Sequence, residues 1–595
     1  MKLISFNIDD QISDFKRSTN KKNLLFDHGC KNNFYFERGN SKKNYIVANV
    51  FKKSKKNKRI NELQKLDKIY SIVLKHISTK LNRVHKKNYN IKFWEIMITQ
   101  WLTYALRNAH ARWTIFEEIN KKYKVTDFAK INLDEKLFIT ENTESFRVLQ
   151  TSNFGFNKDL KKNHEKRKYN LYDHLIIAKI VEFKSKKIKI EKINLRKNID
   201  LKKKMSVFSR PLSFSRFFFK SLNNNIFFYN LQLPFKFKIK LMLIYKFIFY
   251  QLKPSKKIVE SRINFNRGKI FETNSKEKNF LNFFKGTVKF TLPKIFLENF
   301  EILNLELKKL PFPKNPKYIL TTYPHFDEMF KLYCAQNHNK SKFFLFQHGF
   351  DNIFKFENSV NKFYTKYNVS WGLNKNKYLK SFFFTKFLFN KKKDNFFQKK
   401  KIIILLSTFY ESDYMVPYGI ENSHNINYIL YSSTCKLIDK IKKNNLDKID
   451  IKLQEFSRFE IVKNTLKKKY NNINILGMEK SYVDLIDNYK LSIFFFIGTS
   501  LFESMFLNRP SITILNKDIA FEYDDKFNHF INRFIDEKIF FTNVDDAADF
   551  LNNNYLSLEK WWQSKRVQNL VKEFCDTYCR KPKNIKFEFK KLLKN

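Results

Sequence analysis

The feature that most constrains this chain is an alternation that sets in near residue 284 and continues past residue 500. Short apolar runs are separated by amphipathic, helix-spaced segments: "KYILTTYP" (317–324), a helix over 326–337, "KFFLFQHG" (342–349), then "IIILLSTF" (402–409) and a helix over 426–444. A strand over 449–453, a helix over 459–470, a strand over 473–476, a helix over 481–488 and the stretch "FIGTSLFESMFLNRPSI" (496–512) follow, the last reading as strand, turn, helix, strand. Buried strands joined by helices imply βαβ units and a parallel sheet. The charged stretch "NKKKDNFFQKKK" (390–401) interrupts the alternation and divides it into two α/β units. Open parallel sheets bind ligands beyond the carboxyl ends of their strands, so two such units predict a cleft between facing loops.

Upstream the pattern is helical. Residues 59–82 and 91–122 carry apolar positions at helical spacing, and in the second segment Phe93, Trp94, Met97, Trp101, Ala105 and Leu106 form one stripe, read as a packed face. One strand is expected before them, at 2–8. A chain of 595 residues exceeds what a single core organises. The expected division is an N-terminal α/β domain over 1–390, including the helical region 59–122 and a basic insertion at 184–258, a second α/β domain over 401–557, and a C-terminal helical segment over 558–595.

The formal charge of +58 would ordinarily point to nucleic acid or an anionic membrane. Abundant Lys, Asn, Ile, Phe and Tyr beside only 10 Gly and 11 Pro is instead the usage expected of A- and T-rich codons, so most of the charge is attributed to composition. Block 184–258 stands apart, since only Glu191 and Asp200 are acidic there and aromatics alternate with bases. The favoured reading is aromatics packed inward under solvated lysines; the alternatives are an anionic membrane surface and, less favoured, single-stranded nucleic acid.

Five scattered cysteines do not form a disulfide framework and fit a reducing cytoplasm. Cys575 and Cys579 lack the second pair of ligands that zinc needs, so no metal is expected. The first fifteen residues carry acids where a secretion signal needs an apolar stretch, and no apolar run reaches the ~20 residues that cross a bilayer.

Candidate chemistry gathers at strand ends. "LFQHGFDN" (345–352) offers Gln347, His348, Gly349 and Asp351, with the imidazole placed to contact a ligand or accept a proton. "TTYPHFDEMF" (321–330) offers His325, with Asp327 and Glu328 read mainly as first-turn capping acids. Lys452 and Arg458 lie on a later strand exit and suit a diphosphate, Arg through its bidentate fork. In the stretch 496–512, Ser500 and Glu503 have the spacing of a capping box, which competes with a phosphate for the free amides of the helix start after Gly498 and Thr499.

Taken in order, "DEMFKLYCAQ" leading to "QHG" (327–349), "VSWGL" (369–373), "FIGTSLFESMFLNRPSI" (496–512) and "EKWWQSKRVQNLVKEF" (559–574), with "FWEIMITQWL" (93–102) as a weaker match, resemble a family of transferases encoded in O-antigen and surface-carbohydrate gene clusters, which look like GT-B glycosyltransferases. The resemblance implies two Rossmann-like domains facing a cleft, no cofactor, and a nucleotide-sugar donor held by the C-terminal domain. It implies a glycan or lipid-linked acceptor, and a peripheral, cytoplasmic place at the inner membrane. Carried over, Gly498, Thr499 and Ser500 face the donor phosphates, Glu503 the ribose, and Arg458 the leaving diphosphate. His348, or else His325, takes the acceptor proton, with Gln347, Gly349 and Asp351 on the acceptor side. Where the family tends to show Gly, Tyr and Asp, this chain has Phe350, Asp351 and Asn368. A nucleic-acid-binding protein and a non-catalytic scaffold of the same fold are the rival readings.

Overall fold

The computed structural model describes residues 1–5, 23–26, 45–48, 56–151, 171–185, 187–194, 216–223, 225–231, 239, 241–243, 246–252, 262–272, 277–322, 327–350, 353, 367–372, 379–386, 398–406, 423–442, 448–453, 459–477, 480–516, 523–582 and 584–594. Three sheets organise them. The first consists of β1 (Lys2–Ile4), β2 (Asn23–Leu25), β3 (Tyr45–Val47), β4 (Asp127–Ile131) and β5 (Lys189–Ile193), all parallel in the order β3-β2-β1-β4-β5. It corrects the expectation of a lone N-terminal strand. Its own crevice, where the strand order reverses between β1 and β4, is closed by a side chain. His174 accepts the Ile131 amide at Nε2 (2.9 Å), so its protonated Nδ1 donates to Ser5 Oγ (2.8 Å) and the imidazole pins both strand ends. Complete burial brings His174 down to about 3, which keeps that pin neutral.

The helix Ile91–Lys122 is the pillar of this part. The six stripe residues are buried, and so are Ile96, Ile98, Thr99, Gln100, Leu102 and Tyr104. The stripe widens because the helix is wrapped by Lys56–His85, Leu171–Lys184 and Glu328–Asn337. Arg112 pairs inside the core with Asp173, whose other oxygen accepts Asn108 at 3.2 Å.

The second sheet has β6 (Arg216–Ser221), β7 (Ile226–Tyr229), β8 (Phe247–Leu252), β9 (Tyr318–Thr321), β10 (Lys342–Phe346), β11 (Tyr367–Ser370) and β12 (Leu379–Ser381), ordered β12-β11-β10-β9-β7-β6-β8. Strands β7 to β12 run parallel, while β6 is antiparallel to both its neighbours. Block 184–258 is therefore no insertion: it supplies β5 to the first sheet and β6, β7 and β8 to the second. Its aromatics do pack inward, Phe218 and Phe227 on one face and Phe228 and Phe247 on the other.

The third sheet has β13 (Ile402–Leu406), β14 (Ile449–Leu453), β15 (Asn474–Leu476), β16 (Leu491–Phe494), β17 (Ser511–Ile514) and β18 (Phe540–Phe541), all parallel in the order β15-β14-β13-β16-β17-β18. This is the doubly wound order, read from the alternation and present in the fold. Beyond it, the helix Lys565–Tyr578 packs Phe574 and Tyr578 on Leu501 and Phe502. The chain then crosses back. The Arg580 amide donates to Trp371 O and the Phe384 amide to Arg580 O, each at 2.8 Å, and the helix Ile585–Lys594 buries Phe589 and Leu592 against Phe228, Phe346 and Phe382 of the second sheet. Among the described residues no helix is long and apolar enough to cross a membrane.

Candidate functional site

In the third sheet the order of strands reverses between β13 and β16, and loops leaving on opposite sides open a crevice at their carboxyl ends. From β16 the chain passes through Phe495, Phe496 and Ile497 to Gly498, and the helix Thr499–Phe506 starts there. Gly498 is the N-cap in extended backbone (φ −136°, ψ −179°), and no side chain caps the helix. The capping box expected of Ser500 and Glu503 does not form. It requires Ser500 at the N-cap, but the helix begins earlier, so Ser500 lies within its first turn and Glu503 beyond it. Thr499 and Ser500 remain partly exposed at the crevice. An uncapped helix start presents amides and the positive dipole end, which suits an anion.

Glu503 sits one turn further along the same helix and is buried. It is 9% exposed, and burial pushes its carboxyl up to about 7 despite the opposing charge of Lys386. Lys386 lies just beyond β12, its ammonium 5.8 Å from the centre of the Trp371 ring, and Trp371 Nε1 donates to Thr385 Oγ1 at 3.1 Å. Lysine in so basic a chain carries no sequence signal, which is why Lys386 was not anticipated.

The second sheet brings its loops to the same place. Gln347 donates its amide N–H to Val369 O (2.9 Å), accepts from the Trp371 N–H (2.9 Å) and donates through Nε2 to Gly349 O (2.6 Å). The glutamine thus ties the loop after β10 to the loop after β11. His348 still reaches solvent, yet protein crowds it closely enough that desolvation, and after it the charge of Lys386, bring the imidazole down to about 4. Next to Gly349, Phe350 meets Phe496 edge-on, centroids 5.3 Å apart. The loop carrying His348 therefore touches the loop leading to Gly498, and one lysine charge reaches both His348 and Glu503.

Other expected residues serve the fold. Asp327 caps the helix Glu328–Asn337 by accepting the Phe330 amide (3.1 Å) and also accepts the Tyr229 hydroxyl. Glu328 accepts the Thr143 amide at 2.9 Å and pairs with Lys331 at 3.5 Å. Lys452 is buried and donates to Gly477 O. His325, Asp351 and Arg458 lie outside the described residues.

Among solved structures the chain is similar to S. aureus TarM in a complex with fondaparinux, alpha-GlcNAc-glycerol and UDP, at 17% identity and a TM-score of 0.33, over 50% of this chain and 59% of that one. It is similar to the pneumococcal O-GlcNAc transferase GtfA with UDP and GlcNAc at 13% identity and a TM-score of 0.29, over 49% and 59% of the two chains. The wall teichoic acid polymerase TagF soaked with CDPG follows at 11% identity and a TM-score of 0.28, over 47% and 72%. No curated protein matches the chain. Residues 8–593 match the family described as LIC12162 family transferase, and with nearly its whole length inside that match the chain belongs to this family of transferases.

Proposed function

We propose that this transferase moves a sugar or related glycosyl group from a nucleotide-activated donor to a hydroxyl of a surface-glycan precursor. The observation that carries the reading is the meeting of an uncapped helix start at a topological switch point with a histidine loop from the neighbouring sheet. The donor diphosphate would lie against the amides of Thr499 and Ser500, with Glu503 bonding the ribose behind them. At neutral pH the imidazole of His348 is unprotonated and so can accept the proton of the acceptor hydroxyl. The hydroxyl oxygen then bonds to the anomeric carbon as the bond to the diphosphate oxygen breaks. The charge left on the diphosphate falls to the helix start and to Lys386, fixed donors whose effect grows in a site with little water.

The test is a thermal-shift panel of nucleoside diphosphates and nucleotide sugars. A ligand that binds only the folded chain at a hundredfold excess over Kd adds about 2.7 kcal/mol of stability. At least one nucleotide should raise the melting temperature, and Gly498→Ala should abolish that rise. Silence across the panel would sink the reading and favour a scaffold.

A further inference from the structure

Between Arg216 and Ile258 the chain has nine Lys and Arg and no Asp or Glu, although acids make up 57 of its 595 residues. Codon bias adds lysine everywhere, but it does not remove acids from one region. Among the described residues, five of the twelve exposed large apolar side chains also fall in this region. Leu222, Ile239, Leu243, Ile248 and Phe249 all stand out here, Leu222 at 62% and Leu243 at 76% exposure. Strand β8 is the edge of this sheet, so its tips flank one rim: Ile248 lies opposite Lys220 on one face and Phe249 opposite Phe219 on the other, while Ser221, just before Leu222, lies opposite Phe247. Exposed Lys246 immediately precedes this pairing, and Leu243 sits in the helical turn ahead of it.

The side-chain types distinguish between occupants. A surface that stacks on single-stranded nucleic acid displays its aromatic rings. Here Phe218, Phe227, Phe228, Tyr229 and Phe247 are all buried in the sheet, and among the described residues the exposed tips are mainly aliphatic. Aliphatic tips among bases, with no acids, are what an interfacial anchor needs, because the tips enter the acyl boundary while the bases meet anionic headgroups. We propose that this corner of the second sheet, built on β6 and β8, docks on the anionic face of a lipid bilayer. The inference does not rest on the donor site, and either can fail alone.

The test is flotation of the full chain with vesicles of phosphatidylcholine alone or mixed with phosphatidylglycerol. Binding should need the anionic lipid and weaken with salt. The double variant Leu222→Ser/Leu243→Ser should lower partitioning about tenfold or more, and Lys220→Gln and Lys246→Gln each by roughly fivefold. Leu556→Ser, at an exposed leucine far along the chain, should change nothing, and unchanged melting temperatures will show that the variants fold. The proposal is overturned if anionic vesicles are not bound, or if these substitutions leave binding intact. It is equally overturned if oligo(dT) binds and displaces the vesicles, or if the leucine variants dissolve a dimer rather than release lipid.

Discussion

Phe350 and Phe496 meet edge-on, with ring centroids 5.3 Å apart and planes at 79°. Phe350 follows the Gln347-His348-Gly349 triplet on one sheet, and Phe496 precedes Gly498 on another, so this contact sets the spacing of the two loops that would share a ligand. Edge-to-face pairs contribute about 0.5–1.5 kcal/mol beyond burial. A double-mutant cycle of Phe350→Ala and Phe496→Ala, read by urea unfolding, should return a coupling in that range. Each single variant should also weaken nucleotide binding, because the helix start and the histidine loop lose their common support. A coupling near zero would mean that the loops are held by something else.

Two glycines give opposite expectations for the same substitution. A Cβ on Gly372 would lie 1.8 Å from Thr577 O, where the C-terminal segment crosses back to the second sheet, and backbone there has nowhere to yield. Gly372→Ala should destabilise the chain by at least the ~1–3 kcal/mol typical of overpacking. A Cβ on Gly498 would only touch the Phe496 ring at 3.4 Å, and the backbone there is one any residue adopts. Gly498→Ala should keep the melting temperature within about a degree or two, so that any loss of nucleotide binding reports on the methyl added at the helix start.

How much of this could be read in advance depended on signal length. The third sheet was legible because β13 and β14 are five-residue strands buried at every position, flanked by helices of eleven and eighteen residues. The first sheet was not: Lys2–Ile4, Asn23–Leu25 and Tyr45–Val47 are three residues each, too short to show a period of two. In the site, Gly498, His348 and Gly349 drew notice because glycine and histidine are scarce in this chain. Gln347 is expected on the acceptor side, and only the fold shows that it also ties Gly349 to Trp371. The capping box failed because spacing alone cannot say which residue starts a helix.

Lys386 links the two titrating groups, and its removal should move both in one direction. Its positive charge lowers the imidazole of His348 and also lowers the carboxyl of Glu503. In Lys386→Met, NMR titration should show His348 rising from about 4 toward its ordinary value and Glu503 rising further from about 7. Donor turnover should fall as the leaving diphosphate loses a cation. In the parent enzyme, if His348 is the base, the acid limb of kcat/KM should lie well below the ordinary histidine range. His348→Ala should reduce kcat by about 10²–10⁴-fold while leaving the nucleotide Kd nearly unchanged. Titrations of His348 and Glu503 that ignore Lys386 would separate the three residues.

Glu503 makes a prediction about stability whose sign follows from its environment. Its carboxyl rises from 4.5 to about 7 on folding because the side chain is buried. Between those values the folded chain holds a proton that the unfolded chain has released, so the contribution is present below about 4.5 and is lost as pH rises through about 7. Above that the buried carboxylate carries a penalty on the order of 3 kcal/mol. Glu503→Gln keeps the shape and removes the charge. Its melting temperature should match the parent's in acid and exceed it by a margin that grows up to about pH 8. Nucleotide affinity should lose its dependence on pH in the same window, because a carboxyl that bonds the ribose changes from donor to acceptor as it ionises, and an amide does not. A stability difference that stays flat across the window would show that Glu503 does not titrate there, and would take the ribose role with it.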